Sequence, residues 1–193
     1  MPPKARITRD MILDAAFDLV RAEGHEALNV RTLAKRLGCS TQPILYNFAA
    51  VEELKDAVYQ RADEFHTAYI LPKGGEGADA LLELGLNYVR FGYEEKHLFR
   101  FLFESDRFGG MDFKGLLRWP GSDELVAILA EALGCPAAEA EKLFMTFFAV
   151  AHGLGSLLCN NAMEYDETEC AAMLETVFNG ALAALTSKGE EYA

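Results

Sequence analysis
Two apolar stripes of helical spacing, Leu33-Ala34-Leu37 and Ile44-Leu45-Phe48, stand on either side of a three-residue break, Gly38-Cys39-Ser40. Helices this short are unstable in isolation, so each must bury its stripe against a partner, and the nearest partner is the other stripe. A glycine able to take positive φ permits the tight turn between them. The spacing therefore predicts a helix-turn-helix. Asn29 is the expected cap of the first helix, which buries Val30, Leu33, Ala34 and Leu37 and stops at Gly38. Ser40 is the expected cap of the second. Pro43 falls in the first turn of that helix, where a missing N–H has no intrahelical acceptor to lose.

The rest of the chain follows the same period. Thr8 is a good N-cap with Asp10 in the first turn behind it, and Ile12, Ala15, Ala16 and Leu19 follow on one face before Gly24. A longer helix is expected from Val51 to Ile70, with Leu54, Val58, Ala62 and Phe65 aligned. Pro72-Lys73-Gly74-Gly75-Glu76-Gly77 reads as a linker. Five further helices are expected over roughly 78–93, 96–105, 122–133, 137–161 and 167–187, punctuated at 106–121, 134–136 and 160–166. No β alternation is sustained and no fixed-period repeat is found. The expected fold class is all-α, with about nine helices.

Charge enters because a net of −12 argues against a nucleic-acid partner. Its distribution argues otherwise. Residues 1–48 carry seven basic and five acidic groups, a net of +2, which leaves −14 on the other 145 residues. A field divided in this way presents its basic end to phosphates while the acidic remainder orients the molecule.

Several classes of function lack their signatures. The four cysteines (Cys39, Cys135, Cys159, Cys170) show no metal or redox spacing and are expected to be reduced, as in the cytoplasm. His25, His66 and His97 lack ligand spacing, so no metal and no cofactor are expected. No apolar run approaches the roughly 18 residues of a membrane span, and no apolar segment follows the basic N-terminus, so neither membrane nor signal peptide is expected. Gly74-Gly75-Glu76-Gly77 lacks the Gly-Lys-Ser/Thr ending of a phosphate-binding loop. No nucleophile-and-base motif shows local context, and an enzyme is not expected.

On the second helix of the motif, Thr41, Gln42, Tyr46 and Asn47 face away from the expected core. All can hydrogen-bond base edges or phosphates, or touch a thymine methyl. At this point a resemblance becomes specific. The stretch from Leu33 to Phe48 resembles the DNA-binding signature of the tetracycline-repressor (TetR) family, an L-A-x-x-L-G-[VC]-S core followed by a tyrosine and, two positions on, a phenylalanine. Ile12–Ala16 is similar to the family's first helix and Glu52-Glu53-Leu54 to the opening of its fourth. The resemblance runs from Ala5 to Ala62, about a third of the chain. Asn47 stands where the family has His or Tyr, and Val51 where it has Lys.

The resemblance implies a sequence-specific DNA-binding regulator, a repressor released from a palindromic double-stranded operator by a small apolar or amphipathic effector. It implies a DNA-binding domain over 1–50 and a helical effector-binding and dimerisation domain over 51–193, joined by the 51–70 helix. The implied DNA contacts are Arg31 and Thr32 to the backbone, Thr41, Gln42 and Pro43 to base edges, and Tyr46 and Asn47 to phosphate. An effector pocket is implied among the C-terminal aromatics, with Phe91, Phe103, Trp119, Phe144, Phe148 and His152 as its candidates; core filling is the alternative for each. The homodimer would form through 137–161 and 167–187, where Ala149, Gly153, Gly155, Ser156 and the alanines of the last helix let helices approach closely. Phe147-Phe148 with His152-Gly153-Leu154 also resembles a stretch of many family members. A ligand- or protein-interaction module of the same fold without specific DNA binding stays open.

Overall fold
A computed structural model describes residues 7–74, 77–105, 115 and 122–190, with backbone alone at Ala78 and 185–190. Trp119 and the punctuation segment 106–121, except Gly115, lie outside the described residues, as do Gly75 and Glu76 of the linker. Among the described residues there are nine α-helices and no strand. They are α1 (Arg9–Glu23), α2 (Val30–Arg36), α3 (Gln42–Asn47), α4 (Val51–Ile70), α5 (Gly77–Glu94), α6 (Lys96–Phe103), α7 (Ser122–Leu133), α8 (Ala137–Asn160) and α9 (Glu167–Glu190), with a 3₁₀ turn at His25–Ala27. The chain divides into two units, Met1–Ala68 with Glu95–Ser105, and Tyr69–Glu94 with Asp106–Ala193.

In the first unit the ends of α1 and α2 are set by local chemistry. The Thr8 hydroxyl accepts the Met11 N–H at 3.2 Å, and Asn29 Oδ1 accepts the Thr32 N–H at 2.9 Å. Each satisfies a donor that the helix itself leaves open. Gly38, at φ 64°, ends α2 in a left-handed turn. Its N–H reaches Lys35 O at 3.2 Å and the Cys39 N–H reaches Ala34 O at 3.0 Å, the paired bonds of a Schellman stop. Helix α1 buries Ile12, Ala16, Leu19 and Val20, and packs against α2, α3 and α6. Helix α6 adds Leu98, Phe99, Phe101 and Leu102 to this core.

Three expectations need correction here. Ser40 does not cap α3: the capping position is Thr41, in αR conformation and making no side-chain bond. Leu45 is not on the inner face. It is 51% exposed, while Ile44 and Phe48, one turn apart, are each 1% exposed. In a helix this short, Ile44 and the capping residue Phe48 are enough to form the buried stripe, and Leu45 lies about 100° round from Ile44. On α4 the buried stripe is Leu54, Val58, Ala62 and His66. Strict i, i+4 spacing selects His66, and Phe65 is half-buried beside it, with Phe17 edge-on at 5.6 Å.

In the second unit α8 is central, packing on α5, α7 and α9. Helix α5 lies very close to it. A Cβ on Gly92 would stand 2.8 Å from the carbonyl oxygen of Gly155, and one on Gly85 would stand 2.6 Å from the Phe147 ring. Glycine at these positions is a packing requirement. Gly155, grouped from sequence with the small residues of the dimer stripe, is thus buried against Gly92. Asp166 caps α9 by accepting the N–H groups of Thr168 and Glu169 at 2.9 and 3.1 Å, and Arg90 of α5 bonds Glu167 at 2.5 Å.

Helix α8 corrects only the premise that no apolar stretch approaches the length of a membrane span. By length and composition it is apolar enough to cross a bilayer, its best window having a mean hydropathy of 1.5. Its buried stripe, including Leu143, Phe144, Phe147, Ala151 and Leu158, belongs to the core of the second unit. The four cysteines are free thiols, with Cys159 and Cys170 buried.

Candidate nucleic-acid interface
Helix α3 is short and without a side-chain cap at its start, so its place is set by what lies beneath it and at its end. Ile44 and Phe48 anchor it in the core of the first unit. At its C-terminus Arg9 of α1 donates through Nη1 to the Asn47 carbonyl oxygen at 2.5 Å, and to Glu53 Oε1 at 3.1 Å. The guanidinium carbon lies 3.9 Å from the centre of the Phe48 ring. Glu53 in turn accepts the Ala49 N–H at 2.8 Å through its other oxygen, at the entry to α4.

The outward face of α3 is left open by this arrangement. Tyr46 is 83% exposed, Gln42 is exposed, and Thr41 and Pro43 are half-buried. A tyrosine and a leucine held in solvent on a helix fixed from below form a surface suited to contact rather than to core filling. Asn47 differs from its neighbours. Its side-chain amide donates to the Pro43 carbonyl at 2.7 Å, so one of its donors is engaged within α3. Arg31 is exposed at the start of α2, one turn from exposed Lys35. The Thr32 N–H is taken by the Asn29 cap, and Arg36 lies 3.6 Å from Glu23. Thus Thr41, Gln42, Pro43, Tyr46 and Asn47 share one short helix and its capping turn, with Arg31 and Thr32 at the head of α2.

The effector candidates separate. In the second unit Phe144 stacks on Phe148 at 6.5 Å between centroids, and Phe148 stacks on His152 at 5.8 Å. The Tyr88 hydroxyl and His152 Nδ1 share a hydrogen bond of 2.9 Å, and the Tyr88 ring meets Phe148 edge-on at 5.3 Å. Phe91 is buried in the same unit, with Tyr69 edge-on at 5.3 Å. Phe103 belongs to the first unit, where it meets Phe99 and the imidazole of His66 at about 5 Å. Burial alone pushes that His66 imidazole down to about 4. Trp119 lies outside the described residues.

On the outside of α8 and α9 lies an apolar groove of about 600 Å³, lined by Val150, Gly153, Leu154 and Leu157 of one helix and Met173 and Val177 of the other. Leu157 and Met173 are about half exposed, and nothing lies within 4 Å of a Cβ on Gly153.

These features invite comparison with known proteins. A TetR-like transcriptional regulator from Rhodococcus sp. RHA1 superposes with a TM-score of 0.65 at 17% identity, covering 95% of this chain and 98% of its own. A TetR-family regulator from Rhodococcus sp. gives 0.60 at 19% identity, over 90% and 98%. One from Streptomyces coelicolor gives 0.55 at 22%, over 98% of each. The chain has the tetracycline-repressor fold. In sequence it is 31% identical over 78 residues to the class D tetracycline repressor protein of Escherichia coli and to the class H protein of Photobacterium damsela subsp. piscicida. That match takes in 40% of this chain and spans 36% of the length of each curated relative. No family model matches the chain.

Within this fold two groups carry no local sequence signal. Arg9 counted only as one basic charge and Glu53 only as part of a helix opening, because their partners lie 38 and 44 positions away from Arg9. Tyr88 read as one core aromatic among many, and no local signal marks its pairing with His152, 64 positions on.

Proposed function
We propose that this protein is a sequence-specific DNA-binding transcriptional regulator, a repressor that an apolar or amphipathic small molecule releases from a palindromic operator. The observation that carries this reading is the outward face of α3, where Gln42, Leu45 and Tyr46 stand in solvent on a helix anchored by Ile44 and Phe48. In this reading Thr41, Gln42 and Pro43 meet base edges, and Tyr46, Asn47, Arg31 and Thr32 meet the backbone. The protein works in the cytoplasm as a homodimer through α8 and α9. Their apolar groove, open at Gly153, accepts the same helices of a second copy about a two-fold axis. The effector enters near the Tyr88–His152 pair and its aromatic stack, where a ring-bearing molecule finds apolar faces and one polar handle. Helix α4 runs from the first unit into the second, which its last two residues, Tyr69 and Ile70, join. A change in its course on effector binding would move the two readers of the dimer out of register with their half-sites.

The internal bond of Asn47, together with an apolar Val51, favours a second reading in which specific DNA binding has been lost and the fold serves as an interaction module. Gln42→Ala and Tyr46→Ala separate the two. The regulator reading expects each folded variant to lose about 1–3 kcal/mol of affinity for a selected duplex. Equal affinity of the wild-type chain for selected and scrambled duplexes supports the module.

A further inference from the structure
We infer that Arg9 and Glu53 form a clamp that positions α3, fixing how the helix presents its outward face without either side chain touching the nucleic acid. The inference rests on the DNA-reading role given to α3 above. Six residues make a helix too short to hold its own conformation, and α3 has no side-chain cap at its start. Two buried residues fix its depth but do not by themselves fix its tilt. The clamp removes that freedom.

One guanidinium group serves three purposes at the end of α3. It donates to the carbonyl of Asn47, pairs with Glu53, and lies over Phe48 with its carbon 3.9 Å from the ring centre. Glu53 carries the link onward by accepting the Ala49 N–H at the entry to α4. The start of α1, the end of α3 and the start of α4 thus meet at one ion pair. The cation stands at the negative end of the α3 dipole, where charge is favourable. Arginine suits the place because one Nη1 group can donate to both oxygens while the guanidinium carbon lies over a ring.

An exposed ion pair ordinarily contributes little stability, and both side chains here are nearly half exposed. Orientation is another matter. Helix α3 is about 9 Å long, so a tilt of about 10° pivoting at Asn47 moves Thr41 and Gln42 by about 1.5 Å. That displacement exceeds the tolerance of a hydrogen bond to a base edge. Loss of the clamp should therefore lower discrimination between sequences more than it lowers stability or general attraction to DNA.

The test compares the full-length wild type with Arg9→Gln, Arg9→Lys and Glu53→Gln. One arm, without DNA, measures amide exchange at Leu45 and Phe48, whose N–H groups bond Thr41 O and Ile44 O. The other measures affinity for a selected duplex and for a scrambled one across a salt series. For Arg9→Gln we expect exchange at these amides to rise about tenfold and affinity for the selected duplex to fall about tenfold. Affinity for the scrambled duplex and the salt slope should stay as in the wild type. Arg9→Lys should recover part of the discrimination, and Glu53→Gln, which keeps an acceptor for Ala49, should fall between. A loss on both duplexes with the salt slope reduced by about one would make Arg9 a phosphate contact and overturn the clamp. Unchanged exchange and discrimination in the folded variants would overturn it too. If the wild type itself does not discriminate between duplexes, the DNA-reading role fails, while the exchange arm still decides whether Arg9 holds α3.

Discussion
His66 lies on the buried stripe of α4, 7% exposed, with the Phe103 ring edge-on at 5.0 Å. Burial removes water from the imidazole and lowers its proton affinity from the ordinary 6.5 to about 4. In the unfolded chain the same side chain should titrate near 6.5. Above that pH both states hold it neutral and it adds no pH dependence. As the pH falls through 6.5 the unfolded state takes up a proton that the folded state refuses, so stability drops until the folded imidazole titrates near 4. Each tenfold difference in proton affinity is worth about 1.4 kcal/mol, so the loss attributable to His66 is about 2 kcal/mol at pH 5 and about 3 kcal/mol by pH 4. His66→Leu fills a similar space and cannot titrate. Urea unfolding of both proteins between pH 7.5 and 4 isolates the contribution, because the many carboxylates are common to the two. The expected result is a difference between wild type and variant that shifts toward the variant by about 2 kcal/mol between pH 7.5 and pH 5. Parallel stability curves over that range would refute the assignment of a buried, neutral imidazole.

Other perturbations test the packing, the caps and the interface. Gly92→Ala places a methyl group 2.8 Å from the Gly155 backbone and should cost about 1–3 kcal/mol or more in thermal or urea unfolding, because backbone cannot step aside as a side chain can. Asn29→Ala removes the cap on the Thr32 N–H and should cost about 1 kcal/mol by the same assay, with faster amide exchange confined to the start of α2. Gly153→Arg puts a charge into the α8–α9 groove at a position with nothing within 4 Å, so the variant should fold and run as a monomer in sedimentation. A folded, fully dimeric Gly153→Arg protein would move the dimer interface elsewhere.

The features readable from sequence were those fixed by short-range chemistry. Thr8, Asn29 and Gly38 act on residues within one turn, and each occupies the place its local pattern implies. The exposure of Leu45 is not legible because a helix of six residues gives periodicity too few positions to set its phase. His66 occupies the buried stripe by strict i, i+4 spacing, but its polar ring marks it less clearly as core than the apolar Phe65 beside it. The packing of α6 on α1 and the convergence of Arg9, Phe48 and Glu53 depend on chain segments tens of residues apart, and no local pattern encodes them. Among the effector candidates, helical spacing links Phe144, Phe148 and His152 on one face of α8. Their partner Tyr88 comes from another helix and emerges only when α5 packs against α8.

Selection of duplexes from a random library by the full-length protein decides whether α3 reads DNA sequence. Enrichment of a palindrome whose half-sites lie about 34–36 Å apart or a multiple of that, bound by two chains, is expected. Gln42→Ala and Tyr46→Ala should each lose affinity for it while remaining folded. Recovery of no common sequence, or of one that both variants bind as tightly as the wild type, would mean that α3 is not the reader.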